Sequence, residues 1–398
     1  MILKKRKFPR KLTGAAAALF ALLFLLGCPP FKSINTSAEG AREGSRVSSS
    51  LEASSSNEDE APQPEAANTG GEEDALAVQV SLPPASLIRS AQFAIIPPNA
   101  APGEPVTVGY SDDFSRNSGL RGLQAVLLDS RGRRLTRAVF FDLQNDDYYY
   151  ESTQDGNREY YVLGRPELKA ALLAVPVTAA AGNAILRIES ADGVIKDLPF
   201  TINPREFISE TISLNQENTD IRIAPNPQRT RESEQLWAVL SRTGTTVYSG
   251  EKYIPPVSST RRTSFFGDTR TYQYVDGSRD SSIHAGIDYG VPTGTEVRAC
   301  APGRVVMARE RIVTGFTVVM EHLPGVYSLY YHLDSLAVSE GNVCEEGALL
   351  GMSGSTGLST GPHLHWEMRV AGEYADPDIF LARPVLDKTD ILNKLTNY

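Results

Sequence analysis

One stretch decides the fold of this chain: Gly361-Pro362-His363-Leu364-His365-Trp366-Glu367. Side chains alternate between the two faces of a β-strand, so His363 and His365 share one face while Leu364 and Trp366 point into the opposite layer. Two imidazoles on one strand face lie roughly 7 Å apart at Cβ and can reach one small site. The spacing does not say which of the two would bind a metal ion.

The other histidines lie near this stretch. All five fall beyond residue 280, at His284, His322, His332, His363 and His365. Imidazole titrates near neutral pH and is a common metal ligand. Their uneven placement indicates a metal or acid–base site in the last third of the chain.

His284 and Asp288 stand four residues apart in His284-Ala285-Gly286-Ile287-Asp288. Gly286 and Gly290 argue against a helix here, so both side chains are expected on an extended or looped segment. His332 follows Tyr331 and is expected at the end of an apolar strand.

A catalytic zinc ion (Zn2+) takes three protein ligands from His, Asp or Glu and keeps one position open. His284, Asp288 and one histidine of the pair supply such a set. The two remaining imidazoles can then take a proton and steady an oxyanion. Spacing alone leaves a structural metal cluster as an equal alternative.

Three motifs follow one another along the chain: His284-x-Gly286-x-Asp288, Tyr331-His332-Leu333 and the Ser- and Gly-rich run from Gly351 to His365. In this order they resemble the lysostaphin-type (LytM) zinc metallopeptidase family. The likeness covers about residues 264–380, and its combined motifs are highly specific.

This resemblance implies a small antiparallel β-sheet with a groove. It also implies that His284, Asp288 and His365 bind zinc and that His332 and His363 are catalytic. The implied activity is a zinc endopeptidase acting on the stem peptides and cross-links of bacterial peptidoglycan.

Two further residues of this region, His322 and Glu367, lie outside the implied set of ligands and catalytic residues. His322 matches a histidine often seen in the family at a strand end, and we interpret it as structural. Glu367 lies on the predicted strand face of His363 and His365. There it either supports a metal-bound histidine or is a solvated or sheet-pairing carboxylate.

The N-terminus predicts export. Basic residues between Lys4 and Lys11 precede an apolar run to Leu26, which is typical of a secretory signal. The run ends in Leu25-Leu26-Gly27-Cys28, which resembles the lipobox of bacterial lipoproteins. Lipidation of Cys28 would hold the protein to a cell membrane on its periplasmic or cell-envelope side. An ordinary signal peptide with a chance cysteine is the alternative.

Charge excludes one class of partner. Residues 1–27 hold six basic and no acidic residues, so their removal takes the formal charge from −9 to −9 − 6 = −15. Such an acidic protein is a poor nucleic-acid binder. Cys300 and Cys344 would then remain, either as one disulfide or as two buried thiols.

Composition divides the chain into segments, and the folded segments are predicted to be all-β. A Ser- and Glu-rich stretch with almost no aromatic residues predicts a disordered tether, and short apolar runs between turn signals predict an immunoglobulin-like β-sandwich. The predicted order is a signal peptide (1–27), an acidic tether (28–75), a β-sandwich (76–202), a β-rich connector (203–263), a peptidase domain with a small antiparallel sheet (264–382) and a tail (383–398).

Other classes of function remain as alternatives. Some relatives keep the fold, lose metal ligands and activate cell-wall amidases, whereas all three implied ligands are present here. A structural lipoprotein would leave His332 and His363 without a purpose. The sequence does not identify the bond cleaved, the membrane that holds the lipid, the oligomeric state or further cell-wall partners. It also does not show whether the connector fills the groove and keeps the enzyme latent.

Overall fold

The structure is a computed structural model and describes residues 92–111, 121–143, 149–154, 157–162 and 168–396. The predicted signal peptide, its lipobox cysteine and the acidic tether lie outside these residues and stay predictions. Among the described residues no helix has both the length and the apolar character needed to cross a membrane.

The part of the chain before residue 203 forms two main sheets. Their orders are β1-β3-β9-β6 and β2-β11-β10-β4-β5, and β7 pairs with β8 in a separate hairpin. The strands are β1 (Gln92–Ile96), β2 (Asn99–Ala100), β3 (Pro105–Ser111), β4 (Gln124–Leu128), β5 (Arg134–Val139), β6 (Phe141–Asp142), β7 (Tyr149–Gln154), β8 (Asn157–Val162), β9 (Leu168–Ala174), β10 (Gly182–Ser190) and β11 (Gly193–Ile202).

The two main sheets enclose a common apolar cluster. β3 contributes Val106 and Val108 to it, and β10 contributes Leu186 and Ile188. The alternation of these residues along their strands aims every second side chain at the opposite sheet. Two sheets around one core are the arrangement expected of a β-sandwich, and the immunoglobulin-like assignment stays a prediction.

The predicted connector carries two helices beside its first strand. Its elements are β12 (Ser209–Ser213), α1 (Gln216–Ile223) and α2 (Pro227–Leu240). Asn215 and Asn226 cap the two helices, their side chains accepting hydrogen bonds from backbone N–H groups. Pro227 stands in the first turn of α2, where a missing N–H costs nothing. The sequence predicts a β-rich connector at 203–263, and these two helices depart from that prediction.

The rest of the chain is built on one large sheet. It follows the order β13-β16-β23-β20-β19-β18-β21, with β17, β22 and β24 at its side, while β12, β14 and β15 form a separate small sheet. The elements are β13 (Arg262–Ser264), β14 (Thr269–Gln273), β15 (Arg279–Ile283), β16 (Gly286–Tyr289), β17 (Glu296–Arg298), β18 (Gly303–Arg311), β19 (Gly315–Leu323), β20 (Val326–Leu336), β21 (Val343–Cys344), β22 (Leu349–Ser353), β23 (Leu364–Val370), β24 (Glu373–Ala375), α3 (Pro377–Ala382) and α4 (Lys388–Thr396).

Strand β9 explains how the two halves join. Leu172 and Ala174 belong to an apolar cluster shared with the large sheet, whereas Ala171 and Leu173 belong to the cluster between the first two sheets. A strand buried on both faces reads as a continuous apolar run rather than an alternating one.

The C-terminal residues return to the N-terminal sheet. Thr107 on β3 donates a hydrogen bond to the carbonyl of Val385, and Ile391 on α4 packs against Gly109. The predicted C-terminal tail is therefore mostly a helix docked on β1 and β3.

Gly286 allows the close approach of β16 and β23. A Cβ atom at this position would lie 2.2 Å from the carbonyl oxygen of Trp366. Since the obstacle is backbone within a paired strand, no side-chain rotation can relieve it. The glycine of the His-x-Gly-x-Asp motif is thus a packing requirement of the sheet.

We expect Gly286→Ala to lower the free energy of unfolding by about 1–3 kcal/mol, the usual range for overpacking a dense core. Gly361→Ala is the matched control, because nothing lies within 4 Å of the Cβ it would add. Urea unfolding of both variants measures the difference. Equal stabilities would contradict the close approach of the two strands.

Candidate functional site

All five residues implied as site residues lie together at one end of the large sheet. Asp288 on β16 stands directly opposite His365 on β23. His284 lies between β15 and β16, as expected for an extended or looped segment. His363 lies one residue before β23, and His332 lies within β20 rather than at its end.

Three ligand atoms converge at this point. His284 Nε2 lies 3.1 Å from Asp288 Oδ1 and 3.0 Å from His365 Nδ1, and His365 Nδ1 lies 2.9 Å from Asp288 Oδ1. All three residues are buried. Their arrangement is one that could hold a metal ion.

Neighbouring groups fix which nitrogen faces the centre. His284 Nδ1 donates to the carbonyl of Phe265 at 2.7 Å, so its Nε2 lone pair points inward. His365 Nε2 lies 3.4 Å from Glu367 Oε2, which leaves Nδ1 for the centre, and its ring stacks on Tyr331. Of the two interpretations of Glu367, the structure supports contact with His365. Groups of this kind set the orientation of metal-binding imidazoles.

The other two imidazoles stand beside the cluster with a common orientation. His332 Nδ1 donates to the carbonyl of Thr356 at 2.7 Å, and His363 Nδ1 donates to that of Gly361 at 2.8 Å. The two ring centroids are 4.7 Å apart, and His363 Nε2 lies 4.0 Å from Asp288 Oδ1. Each ring therefore keeps Nε2 available for proton transfer.

His332 has an unusual backbone conformation, with φ of 61°. A residue with a side chain in this left-handed region costs of order 1–3 kcal/mol. Its backbone N–H donates to the carbonyl of Thr314 at 2.8 Å, which helps to hold the conformation. Strain of this kind at a clustered imidazole indicates a functional constraint on its direction.

Burial and hydrogen bonding determine the charges of the cluster. Burial opposes the charge on Asp288, but its interactions with the adjacent His284 and His365 rings outweigh burial and hold the Asp288 pKa well below its ordinary value. Burial also opposes a charge on His365, yet its hydrogen bonds with Asp288 and Glu367 raise its pKa to about 9. A metal ion that binds here must displace this proton.

His332 has the opposite character. Its burial, together with the neighbouring His363, lowers its pKa to about 3. The imidazole is therefore neutral at pH 7. A neutral ring with its Nδ1–H bound to a carbonyl offers the Nε2 lone pair as a base.

Four contributors to the site were not found from the sequence. These are the carbonyl groups of Phe265, Thr356 and Gly361 and the guanidinium of Arg270, which donates to Asp288 Oδ2. Carbonyl groups have no residue-type signature. A charged residue within the short strand β14 was the one available signal for Arg270.

The connector helices border the site. Leu240 on α2 belongs to the same apolar cluster as Tyr331. Tyr331 stands opposite His365 on the neighbouring strand, so the side chains of Tyr331 and His365 lie on one face of the sheet. Asn218 on α1 donates through Nδ2 to the carbonyl of Ser359 at 3.0 Å. The loop that carries His363 is thus held by a residue of the connector.

His322 and the two cysteines stand apart from this chemistry. His322 is fully buried; its Nδ1 donates to the Pro302 carbonyl at 2.8 Å and its Nε2 lies 2.7 Å from Ser328 Oγ. These contacts agree with a structural role. Cys300 and Cys344 are both free and buried, which favours the second of the two alternatives for this pair.

The pH dependence of stability tests the environment of His322. Burial lowers its pKa to about 4, so between pH 6.5 and 4 the unfolded chain binds a proton at this residue that the folded protein does not. This group therefore makes stability fall as the pH decreases through that interval. We expect metal-free His322→Gln to show a shallower decrease in unfolding free energy, measured by denaturant titration at each pH. A slope equal to that of the wild-type protein would contradict the assignment.

Comparison with known proteins finds a family match for one segment of the chain. Residues 282–377 match the model of peptidase family M23. This segment contains all five site residues.

Three relatives each match between 29% and 38% of the chain. DD-carboxypeptidase/endopeptidase Mpg of Neisseria meningitidis serogroup B is 40% identical over 138 residues, or 34% of this chain and 31% of the relative. Peptidoglycan DD-endopeptidase ShyA of Vibrio cholerae is 38% identical over 117 residues, or 29% and 27%. Murein hydrolase activator EnvC of Escherichia coli is 30% identical over 167 residues, or 38% and 40%. The chain thus spans less than half the length of each.

Proposed function

We propose that this chain, which carries a peptidase family M23 domain at residues 282–377, is a zinc-dependent endopeptidase that hydrolyses peptide cross-links of bacterial peptidoglycan. One observation carries the proposal: three ligand atoms of His284, Asp288 and His365 converge beside two further imidazoles with free Nε2 atoms. A metal-dependent hydrolase needs both parts, a metal site and a means of moving protons.

The donor set fits zinc. Two imidazole nitrogens and one carboxylate oxygen are common zinc ligands, and three protein ligands leave the open position typical of a catalytic site. Ligand atoms about 2 Å from a tetrahedral ion lie roughly 3.3 Å from one another. The separations of 2.9–3.1 Å between the three atoms are close to this value. His284, Asp288 and His365 would hold the ion.

A zinc ion at such a site acidifies water and polarises a peptide carbonyl. We assign the proton transfers to His332 and His363. The neutral His332 accepts a proton through Nε2. His363, when its Nε2 also carries a proton, donates from this atom to the oxygen on which negative charge develops. Their Nδ1–H groups, bound to backbone carbonyls, keep both rings in place during the reaction.

The proposed substrate is a D,D cross-link between stem peptides. The printed activities of Mpg and ShyA support this choice, since both are named for cleavage of DD bonds. A loop of small and hydroxyl-bearing residues from Ser353 to Gly361 allows an extended peptide to approach His363 closely. Glycine bridges and other wall peptides are the competing substrates.

Export and membrane attachment complete the proposal. Peptidoglycan lies outside the cytoplasmic membrane, so a hydrolase that acts on it must be exported. The predicted signal peptide, lipidation at Cys28 and a long acidic tether would supply this route and the reach to the wall.

The alternative is a non-catalytic activator of cell-wall amidases. The likeness to EnvC favours this alternative, because that relative is named as a hydrolase activator. The complete set of His284, Asp288 and His365 favours the enzyme. Zinc content and cleavage of purified peptidoglycan distinguish the two.

We expect the wild-type protein to convert cross-linked muropeptide dimers to monomers, measured by mass spectrometry of digested peptidoglycan. His363→Ala and His332→Ala should each lower the rate by about 100-fold or more, the range for general acid–base groups, with zinc still bound. His284→Ala should lose both zinc and activity.

Zinc content and circular dichroism of each variant serve as controls. No cleavage by a folded, zinc-loaded wild-type protein would contradict the endopeptidase. Stimulation of a purified amidase by that same sample would establish the activator instead.

A further inference from the structure

Arg270 lies between the carboxylate of Asp288 and that of Glu210. Its Nη2 donates to Asp288 Oδ2 at 2.5 Å, and its Nε donates to Glu210 Oε1 at 2.7 Å. The side chains of Arg270 and Asp288 are 14% and 8% exposed. One largely buried arginine therefore joins the metal site to a residue of the connector.

Strand pairing places these groups together. β12 runs parallel to β14, with Glu210 opposite Arg270. Residues opposite one another on paired strands present their side chains to the same face. Ser264 Oγ also lies 3.2 Å from Glu210 Oε1, which restricts the carboxylate further. Strand β12 of the connector thus holds the Glu210 carboxylate in place as a hydrogen-bond acceptor for the Arg270 guanidinium.

The two oxygens of Asp288 face different groups. Oδ1 faces the inward nitrogens of His284 and His365, whereas Oδ2 accepts from Arg270. A carboxylate has a broad torsional preference about its last bond, so Oδ1 needs an external group to keep its direction. The planar guanidinium supplies this group through a fixed donor geometry that lysine lacks.

Glu210 has a second effect, on charge. A lone guanidinium beside a divalent cation would oppose its binding, because like charges repel strongly where water is excluded. The ion pair with Glu210 offsets the charge of Arg270. Arg270 can then act as a hydrogen-bond donor to Asp288 with little net positive charge at the site.

We propose that Arg270 and Glu210 are positioning residues of the metal site. Arg270 fixes the direction of Asp288, and Glu210 fixes and neutralises Arg270. The inference rests on the proposed function, because it requires Asp288 to be a metal ligand. Under this proposal the connector contributes to metal binding through Glu210, which lies outside residues 264–380.

Zinc dissociation constants of the full chain test the proposal, measured by competition with a chromophoric chelator. We expect Arg270→Gln to weaken zinc binding by about 10–100-fold and Glu210→Gln by about 10-fold, as for other groups that orient metal ligands. Because Glu210 acts through Arg270, the double variant should bind zinc no more weakly than Arg270→Gln. Arg270→Lys should lie between Arg270→Gln and the wild-type protein.

Two measurements separate positioning from a general effect on folding. Glu217→Gln is the matched control, since it makes the same substitution at an exposed residue of α1 in the connector. The visible absorption band of bound cobalt(II) reports ligand geometry, and we expect it to shift in Glu210→Gln. Glu210 is 35% exposed, so this variant should fold even where Arg270→Gln does not.

Unchanged zinc affinity and an unchanged cobalt band in Glu210→Gln would overturn the role of that residue. A double variant that binds zinc more weakly than Arg270→Gln would overturn the transmission through Arg270. A wild-type protein that takes up no metal would instead overturn the metal site of the proposed function, an outcome that the wild-type titration alone identifies.

Discussion

The antiparallel pairing of β16 with β23 is the constraint on which the site depends. Its register places Asp288 opposite His365 and Gly286 opposite Glu367. A slip of one residue would turn every side chain of a strand to the other face. The ligand atoms would then separate, and Trp366 would leave the core. Sheet register and metal chemistry are therefore one requirement here, and Gly286 serves both by allowing the strands to approach.

Much of this arrangement was available from the sequence. The alternation around His363 and His365 predicted two imidazoles near one site, and the resemblance to a peptidase family implied their partners at His284 and Asp288. Spacing could not distinguish the metal-binding histidine from its neighbour, because hydrogen-bond partners decide the orientation of each ring. Glu367 orients His365, and the Gly361 carbonyl orients His363. The strand also begins one residue later than the alternation suggested.

The parts that could not be predicted are those set by contacts distant in the sequence. Arg270 meets Glu210 from 60 residues upstream, and no local pattern marks such a pair. The connector helices escaped notice because their prolines resemble loop signals, whereas Pro227 in fact stands in the first turn of α2. Helix α2 covers apolar residues of the large sheet such as Leu329. The connector is thus packed against the large sheet rather than a spacer before it.

The docking of α4 on the N-terminal sheet has a consequence for timing. Thr107 is hydrogen-bonded to a residue 278 positions later, and His365 is 77 positions from Asp288. Contacts over such separations form only when the later segment has been synthesised. The contact of the first sheet with Val385 therefore forms only after all three metal ligands have been synthesised, because His365 precedes Val385 in the chain. A chain whose synthesis stops before His365 lacks the third residue of the cluster. The proposed metal site is therefore among the later features of the fold to be completed.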